Sequence, residues 1–267
     1  MSERVSCTVA DGIADVRLTR PEKRNALDRA MFSAIIEASE QVAADRTVRA
    51  VVLSGEGKAF CAGLDTSLFA AMAERQPEPQ PEPESGGVVS SLRVDAVRAV
   101  RAWTELAVPV IAAVHGVAVG GGFQLALGAD IRIVAPDAQL GAFEIKWGIV
   151  PDMCGTQLLP PLVGPDVAKD LMFTARVVTG EEAKAIGLAT RLADDPRAAA
   201  LALAAEIAGR NPDAIKVMKR LADLSWATSL ADGLRAEQEL TEGMIGSPNQ
   251  LEAVLANLEQ RPGKFVD

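Results

Sequence analysis

Short apolar runs alternate with amphipathic stretches along most of the chain. A helical period extends from Asp28 to about Ala44. Between such stretches lie short apolar runs: VRLT at 16–19, AVVLS at 50–54, PVIAAV at 109–114 and IRIVA at 131–135. In AVVLS and PVIAAV the apolar side chains stand on consecutive residues. Consecutive rather than alternating apolar residues are typical of strands that are covered on both faces. The pattern therefore predicts an α/β chain with a buried sheet.

The pattern changes after about residue 198, where strand signals disappear and helical ones dominate. Asn211-Pro212 and Ser247-Pro248 each have the sequence of a helix N-cap followed by the first helical residue. After the second, four apolar residues fall on one helical face: Leu251, Val254, Leu255 and Leu258. We expect a core in residues 1–197 and a helical region in 198–267, whose apolar face packs on the core or on another subunit.

Residues 74–87, ERQPEPQPEPESGG, are too rich in proline and glutamate to form a helix or part of a core. We expect a flexible, exposed loop. It follows the motif around Gly63, and a helical pattern resumes from about Val94 to Leu106. A mobile lid beside a ligand site and a solvated insertion without a role both fit this placement.

Composition excludes several classes of function. The 267 residues are 49% hydrophobic, enough for a full core, and the net charge of −9 argues against binding to nucleic acid or an anionic membrane. The apolar runs are too short to span a bilayer, so we expect a soluble, cytoplasmic protein. The three cysteines match neither a disulfide framework nor a zinc site, and we expect them to be reduced thiols. We expect no metal site, and a structural role for His115, the single histidine.

Two glycine-containing segments follow apolar strands: GEGKAFCAGLD at 55–65 and HGVAVGGGFQLALGAD at 115–130. In the second, three glycines precede a helical pattern, which leaves backbone N–H groups without partners at a helix start and without side chains to block a ligand. Such a place suits an oxygen that gains negative charge. A tight strand-to-helix turn or a phosphate-binding loop would have the same composition. Neither the P-loop pattern nor GxGxxG is present, which disfavours a Rossmann oxidoreductase.

Four ordered motifs resemble the crotonase family, also called the enoyl-CoA hydratase/isomerase family. They are RPEKRNALD at 20–28, GKAFCAGLD at 57–65, AAVHGVAVGGGFQLALGADIRI at 112–133 and LGAFEIKWGIVPDMCGTQLLPPLVG at 140–164. The resemblance covers nearly the whole chain. It implies a core of repeated ββα units, a C-terminal helical region that builds homotrimers, often paired into hexamers, and an acyl-CoA thioester as substrate. It implies no separate cofactor, because coenzyme A is part of the substrate.

The resemblance also implies the residues that bind the substrate. Two backbone N–H groups, of Leu64 and Gly121, would hold the thioester oxygen as an oxyanion hole, where each fixed donor is worth roughly 3 kcal/mol. Arg24 would approach the coenzyme phosphates, although an ordinary surface charge is an equal alternative, and Lys264 is a further phosphate candidate with a looser match. The remaining implied substrate-binding residues are Lys58, Ala59, Phe60, Ala62, Gly63, Asp65 and Gly120.

The catalytic residues depart from the hydratase pattern of the family. Hydratases of the family carry two glutamates, whereas this chain has Gln124 at the first position and Glu144 at the second. An amide cannot exchange protons at neutral pH, but one carboxylate suffices to move a double bond. We therefore expect isomerisation, with a 2-enoyl-CoA hydratase or a low-turnover acyl-CoA-binding protein as alternatives. Asp152 is either a second acid, as in dienoyl-CoA isomerases of the family, or a cap on the following turn.

Overall fold

The computed structural model describes residues 4–68 and 91–267. The predicted loop at 74–87 lies outside the described residues. Within the described part, the strands are β1 Val5–Ala10, β2 Ile13–Leu18, β3 Ala50–Gly55, β4 Val110–Val114, β5 Val117–Val119, β6 Ile131–Val134, β7 Gln139–Gly141, β8 Val178–Thr179 and β9 Arg191–Leu192.

The helices follow the strands in alternation and then take over towards the C-terminus, as the pattern predicts. Short 3₁₀ helices occupy Pro21–Lys23 and Glu144–Trp147. The α-helices are α1 Arg29–Ala44, α2 Ser91–Thr104, α3 Gly121–Leu127, α4 Gly155–Val163, α5 Pro165–Thr174, α6 Gly180–Ala185, α7 Pro196–Ala208, α8 Pro212–Leu224, α9 Leu230–Met244 and α10 Pro248–Leu258.

The strands form two sheets. The larger has six strands in the order β1-β2-β3-β4-β6-β9, and every neighbouring pair is parallel except the β1-β2 hairpin. The hairpin turn is Asp11-Gly12. Both residues have positive φ, as a two-residue type I′ turn requires. The smaller sheet has the order β5-β7-β8, with β5 and β7 parallel. The predicted α/β class with a buried sheet is confirmed.

Both faces of the larger sheet are covered. On β3, Val51 and Leu53 face a core cluster that includes α1, α2 and α3, while Ala50 and Val52 face α7. This explains why the strands are apolar on consecutive residues. Burying each large side chain of this kind contributes about 1.5–3 kcal/mol. Helix α7, the first of the helical region, therefore forms the second covering layer of the sheet.

Helices α8, α9 and α10 follow α7. Asn211 and Ser247 cap α8 and α10 with their side chains, accepting from the backbone N–H groups two or three residues on, so both predicted helix starts are confirmed. The described residues do not cover the predicted apolar face of α10, since its four residues are between 46% and 77% exposed. Within the described residues, every helix is too short or too polar to cross a membrane.

Candidate active site

The segment 59–65 is held between two other parts of the backbone. On one side it pairs with the region of β5, where Cys61 N donates to Val117 O at 3.0 Å and Val119 N donates to Cys61 O at 3.2 Å. On the other side it pairs with residues 24–27, where Leu27 N donates to Gly63 O at 2.8 Å. This arrangement brings three of the four sequence motifs side by side.

The same pairing decides where the N–H group of Leu64 points. Gly63 O and Asp65 N both bond to Leu27, at 2.8 and 2.9 Å. In an extended segment successive residues direct their peptide groups to opposite sides, so the N–H of Leu64 points away from Leu27. A second free donor lies nearby, because Gly121 is the first residue of α3 and its N–H has no acceptor within the helix.

Glycines allow these two donors to approach each other. Gly63 has a φ of +82°, and a Cβ built on it would lie 2.6 Å from Val119 O and 3.4 Å from Gly121 N. Gly120 has a φ of +54°, and its Cβ would lie 3.7 Å from Glu144 Oε1. A side chain at 63 would therefore collide with the backbone next to Gly121, and one at 120 would be strained by its left-handed backbone.

Strand pairing places Glu144 at the same edge as Gly121. Val119, the last residue of β5, is in register with Gly141, the last residue of β7. The chain leaving β7 then forms the 3₁₀ helix that begins with Glu144. Since parallel strands end at the same edge of a sheet, Glu144 faces the start of α3. Its side chain is buried, with the residue only 5% exposed.

Gln124 links Glu144 to the start of α4. Its Oε1 accepts from the backbone N–H groups of Met153 and Gly155, both at 2.8 Å, and its Nε2 donates to Glu144 Oε1 at 2.6 Å. Because two N–H donors face Oε1, the amide cannot be turned around without losing both bonds. Gln124 therefore presents a donor to the carboxylate and fixes its orientation.

The second oxygen of Glu144, Oε2, is the one available to accept or donate a proton. Oε2 is buried, and no hydrogen bond reaches it from the described residues. Burial raises the pKa of Glu144, and the negative charge of Asp152 raises it further, whereas its own backbone N–H and the Gln124 amide oppose the shift. A buried carboxyl with a raised pKa and one free oxygen is suited to general acid and base catalysis.

These groups line one cavity of about 300 Å³, a volume typical of the lower end of small-molecule sites. Eight predicted site residues line it: Ala62, Gly63, Leu64, Gly120, Gly121, Gln124, Glu144 and Asp152. Sequence reasoning missed six others: Thr66, Val119, Phe143, Trp147, Ile149 and Met153. Trp147 and Ile149, a few residues after Glu144, were a usable signal in the sequence, because apolar residues near a predicted catalytic group often form the substrate pocket.

The other predicted site residues do not line this cavity. Arg24 and Lys58 are exposed, and Arg24 O accepts from Ala62 N at 2.9 Å, so its backbone lies beside the cavity wall. Ala59 and Phe60 are fully buried in the core. Lys264 is exposed in the C-terminal tail, where its N–H donates to Glu252.

Asp65 is engaged in contacts within the protein. It accepts from the backbone and the hydroxyl of Ser67, at 3.0 and 2.8 Å, and from Arg20 at 2.6 Å. The Ser67 donors and then Arg20 lower the pKa of Asp65 to about 2. Its carboxylate thus fastens the end of segment 59–65 to the residues before α1.

The single histidine and the three cysteines do not line the cavity. His115 Nε2 lies 3.0 Å from Gly57 O, in line with the expected structural role. Cys7, Cys61 and Cys154 are free thiols, and burial raises the pKa of Cys61 to about 12, which leaves it unreactive. Among the described residues, no cluster of histidine, cysteine and carboxylate side chains is arranged to hold a metal ion.

Comparison with known proteins agrees with this geometry. A sequence model of the enoyl-CoA hydratase/isomerase family matches residues 8–267. The mitochondrial methylglutaconyl-CoA hydratase of Mus musculus is 34% identical over 261 residues, which is 95% of this chain and 79% of that protein. The mitochondrial enoyl-CoA hydratase domain-containing protein 2 of Bos taurus is 36% identical over 265 residues, covering 96% and 84%.

A solved structure supports the same relationship. The crystal structure of an enoyl-CoA hydratase from Bacillus anthracis superimposes with a TM-score of 0.86 at 30% identity, over 98% of both chains. The fold implied by the sequence motifs is confirmed. The names of these relatives fit the hydratase alternative, and they do not support the predicted preference for isomerisation.

We predict that Gly122→Ala impairs the site, because its Cβ would meet the backbone carbonyl of Cys61 and lie 2.7 Å from the Cys61 Cβ. The backbone cannot yield without moving α3 away from segment 59–65, and a shift of about 1 Å in such a site costs about a hundredfold in rate. Steady-state kinetics on an enoyl-CoA measures the loss.

Gly243→Ala is the matched control, because a Cβ there meets nothing within 4 Å and alanine is the better helix former. It should keep the wild-type rate. A folded Gly122→Ala protein with full activity would contradict the close packing of the two segments.

Proposed function

Because the chain belongs to the enoyl-CoA hydratase/isomerase family, we propose that it acts on an enoyl-CoA thioester with Glu144 as the one proton carrier. The thioester oxygen would accept from Leu64 N–H and Gly121 N–H, and the acyl chain would lie along the apolar wall formed by Phe143, Trp147 and Ile149. The proposed reaction needs no cofactor beyond the coenzyme A of the substrate.

One observation carries this proposal. A buried carboxyl oxygen, Glu144 Oε2, has no hydrogen-bond partner among the described residues, and Glu144 lines the same cavity as Leu64 and Gly121, whose backbone N–H groups are the two oxygen donors of the proposal. Charge that develops on a thioester oxygen is stabilised best by fixed donors in a site with little water. Proton transfer next to a thioester carbonyl requires both a carboxyl group to carry the proton and N–H donors to bind the carbonyl oxygen.

Hydration of a 2-enoyl-CoA is the first candidate, supported by the hydratase names of the relatives. Glu144 Oε2 takes a proton from water while the water oxygen bonds to the β-carbon of the substrate. The electron pair of the double bond moves toward the thioester, whose oxygen receives the negative charge at Leu64 and Gly121. Glu144 then returns the proton to the α-carbon, so that one water is added and the carboxylate is restored.

Isomerisation is the second candidate, and Gln124 is the observation that favours it. The neighbour bonded to Glu144 Oε1 is an amide, which cannot exchange protons at neutral pH as a second carboxyl would. Glu144 would remove a proton from the α-carbon of a 3-enoyl-CoA, the charge would spread onto the thioester oxygen, and the same proton would return to the γ-carbon. Asp152, on the cavity wall, would act as a second acid or would cap the following turn.

The surroundings of the site suggest how the rest of the substrate is held. Arg24 and Lys58 flank the segment that leads to the cavity, and we propose that they approach the phosphates and adenine of coenzyme A, with Lys264 as a further contact. We also propose a homotrimer or a hexamer built from two trimers, since the apolar face of α10 is uncovered. Three free thiols are consistent with a cytoplasmic location.

We predict that Glu144→Gln lowers turnover by about 10²- to 10⁴-fold while acyl-CoA affinity changes little, because the amide cannot carry a proton and the two oxygen-binding donors belong to the backbone. Mass spectrometry and ultraviolet absorbance on a panel of enoyl-CoA thioesters measure the products, and calorimetry measures binding. Gln124→Glu in parallel should raise hydration if a second carboxylate assists it.

Glu181→Gln, an exposed carboxyl on α6, is the control and should match the wild type. If Glu144→Gln retains most of the rate, Glu144 is not the proton carrier. Tight binding without any product from the wild type would favour a binding protein over an enzyme.

We predict a pH dependence governed by Glu144. The base is active when it is ionised, and its pKa is raised, so kcat/KM should fall as the pH drops through a value above the ordinary range for glutamate. Asp152→Asn removes a charge that raises this pKa, and should move the acidic limb to lower pH. An unmoved limb in Asp152→Asn would contradict this electrostatic coupling.

We predict that light scattering at micromolar concentration gives the mass of a trimer or hexamer. Leu255→Arg should lower the mass, because it would place a charge on the apolar face of α10 through which the subunits are proposed to meet. Val9→Arg, at an exposed apolar residue on the edge strand β1, is the control and should leave the mass unchanged. A monomeric wild type would contradict the assembly.

A further inference from the structure

Asn25 is a fully buried amide outside the cavity. It follows Arg24, and both residues have left-handed backbone conformations with φ of 57° and 50°. Asparagine is one of the few residues other than glycine that adopts this conformation readily. A left-handed backbone and a buried polar side chain at one position indicate a specific task.

The side chain of Asn25 binds the turn that leads to the site. Its Nδ2 donates to Glu56 O, Ala59 O and Phe60 O at 3.0, 2.8 and 3.1 Å. Its Oδ1 accepts from Arg20 N at 2.9 Å. The amide thus gathers three carbonyl groups of a turn that no regular strand pairing would satisfy.

The backbone on either side of Asn25 also bonds to segment 59–65. Asn25 O accepts from Cys61 Sγ at 3.1 Å, Arg24 O accepts from Ala62 N, and Leu27 bonds to both neighbours of Leu64. Residues 24–27 therefore run alongside segment 59–65 as far as Leu64. Since Leu27 and Leu64 form a single bridge rather than a full ladder, the register of Leu64 depends on the contacts upstream.

We infer that Asn25 is a positioning residue that sets the direction of the Leu64 N–H toward the substrate oxygen. The inference rests on the proposed function, in which that N–H holds the thioester oxygen. Asn25 does not line the cavity and acts through the turn 56–60 and the segment that follows it. A donor that shifts by a fraction of an ångström loses much of its effect on an oxygen that gains charge.

Two substitutions separate the parts of this role. Asn25→Gly keeps the left-handed backbone without strain but removes the amide, so the turn loses its common donor. Asn25→Asp keeps the acceptor for Arg20 N–H but sets a carboxylate oxygen against three carbonyl groups. Asn249→Gly is the matched control, because Asn249 is also a buried amide, bonded to Asp213 and Val266 in the C-terminal region.

The test is the infrared carbonyl stretch of bound butyryl-CoA, isotope-labelled at the thioester carbonyl, together with steady-state kinetics. This saturated thioester does not need to react. In the wild type the stretch should lie below its frequency in water. In Asn25→Gly it should move back toward the aqueous value, and kcat should fall by about tenfold to a hundredfold, with KM changed much less.

The outcomes are distinguishable. Asn249→Gly should lower stability but leave both the carbonyl frequency and kcat as in the wild type. If Asn25→Gly also leaves them unchanged, the inference is wrong; if Asn25→Gly does not fold, the same readings on Asn25→Asp decide. A wild type that binds no acyl-CoA or shows no shift would contradict the proposed function itself.

Discussion

Segment 59–65 has no regular sheet of its own, and the site depends on how it is clamped. It lies between residues 24–27 and the region of β5, with single bridges at Leu27–Leu64 and Cys61–Ala118. Glycines at 63 and 122 allow the backbones to approach so closely that a Cβ at either would collide with a neighbouring main chain. This close contact brings the segment that contains Leu64 against the start of α3, where Gly121 lies.

Burial and the side chain of Gln124 set the pKa and the orientation of the Glu144 carboxyl group. Burial disfavours its charged form, while the Gln124 amide stabilises it. Oε1 is bonded to that amide, and Oε2 has no hydrogen-bond partner within the described residues. The same amide accepts from the start of α4 and cannot turn around. Orientation and proton affinity of the base are thus set together, by a neutral residue at the position where the family resemblance implies an acid for a hydratase.

Sequence patterns were informative wherever a local rule applied. Consecutive apolar residues indicated covered strands, and Asn211-Pro212 and Ser247-Pro248 marked helix starts that their capping bonds confirm. The glycine triplet at the start of α3 indicated unpaired N–H groups at a helix start. Motif resemblance placed Glu144 and Gln124, which a single sequence without that resemblance would not distinguish from other carboxyl and amide residues.

The sequence by itself determined the fold class, the family and most of the residues around the cavity, because these follow from periodicity, capping and ordered motifs. Only the tertiary structure decided that Asp65 turns to Ser67 and Arg20, and that Ala59 and Phe60 are core residues. It also revealed the role of Asn25, whose three carbonyl acceptors lie more than thirty residues away along the chain. Such contacts depend on which backbone segments meet, and no local pattern encodes that meeting.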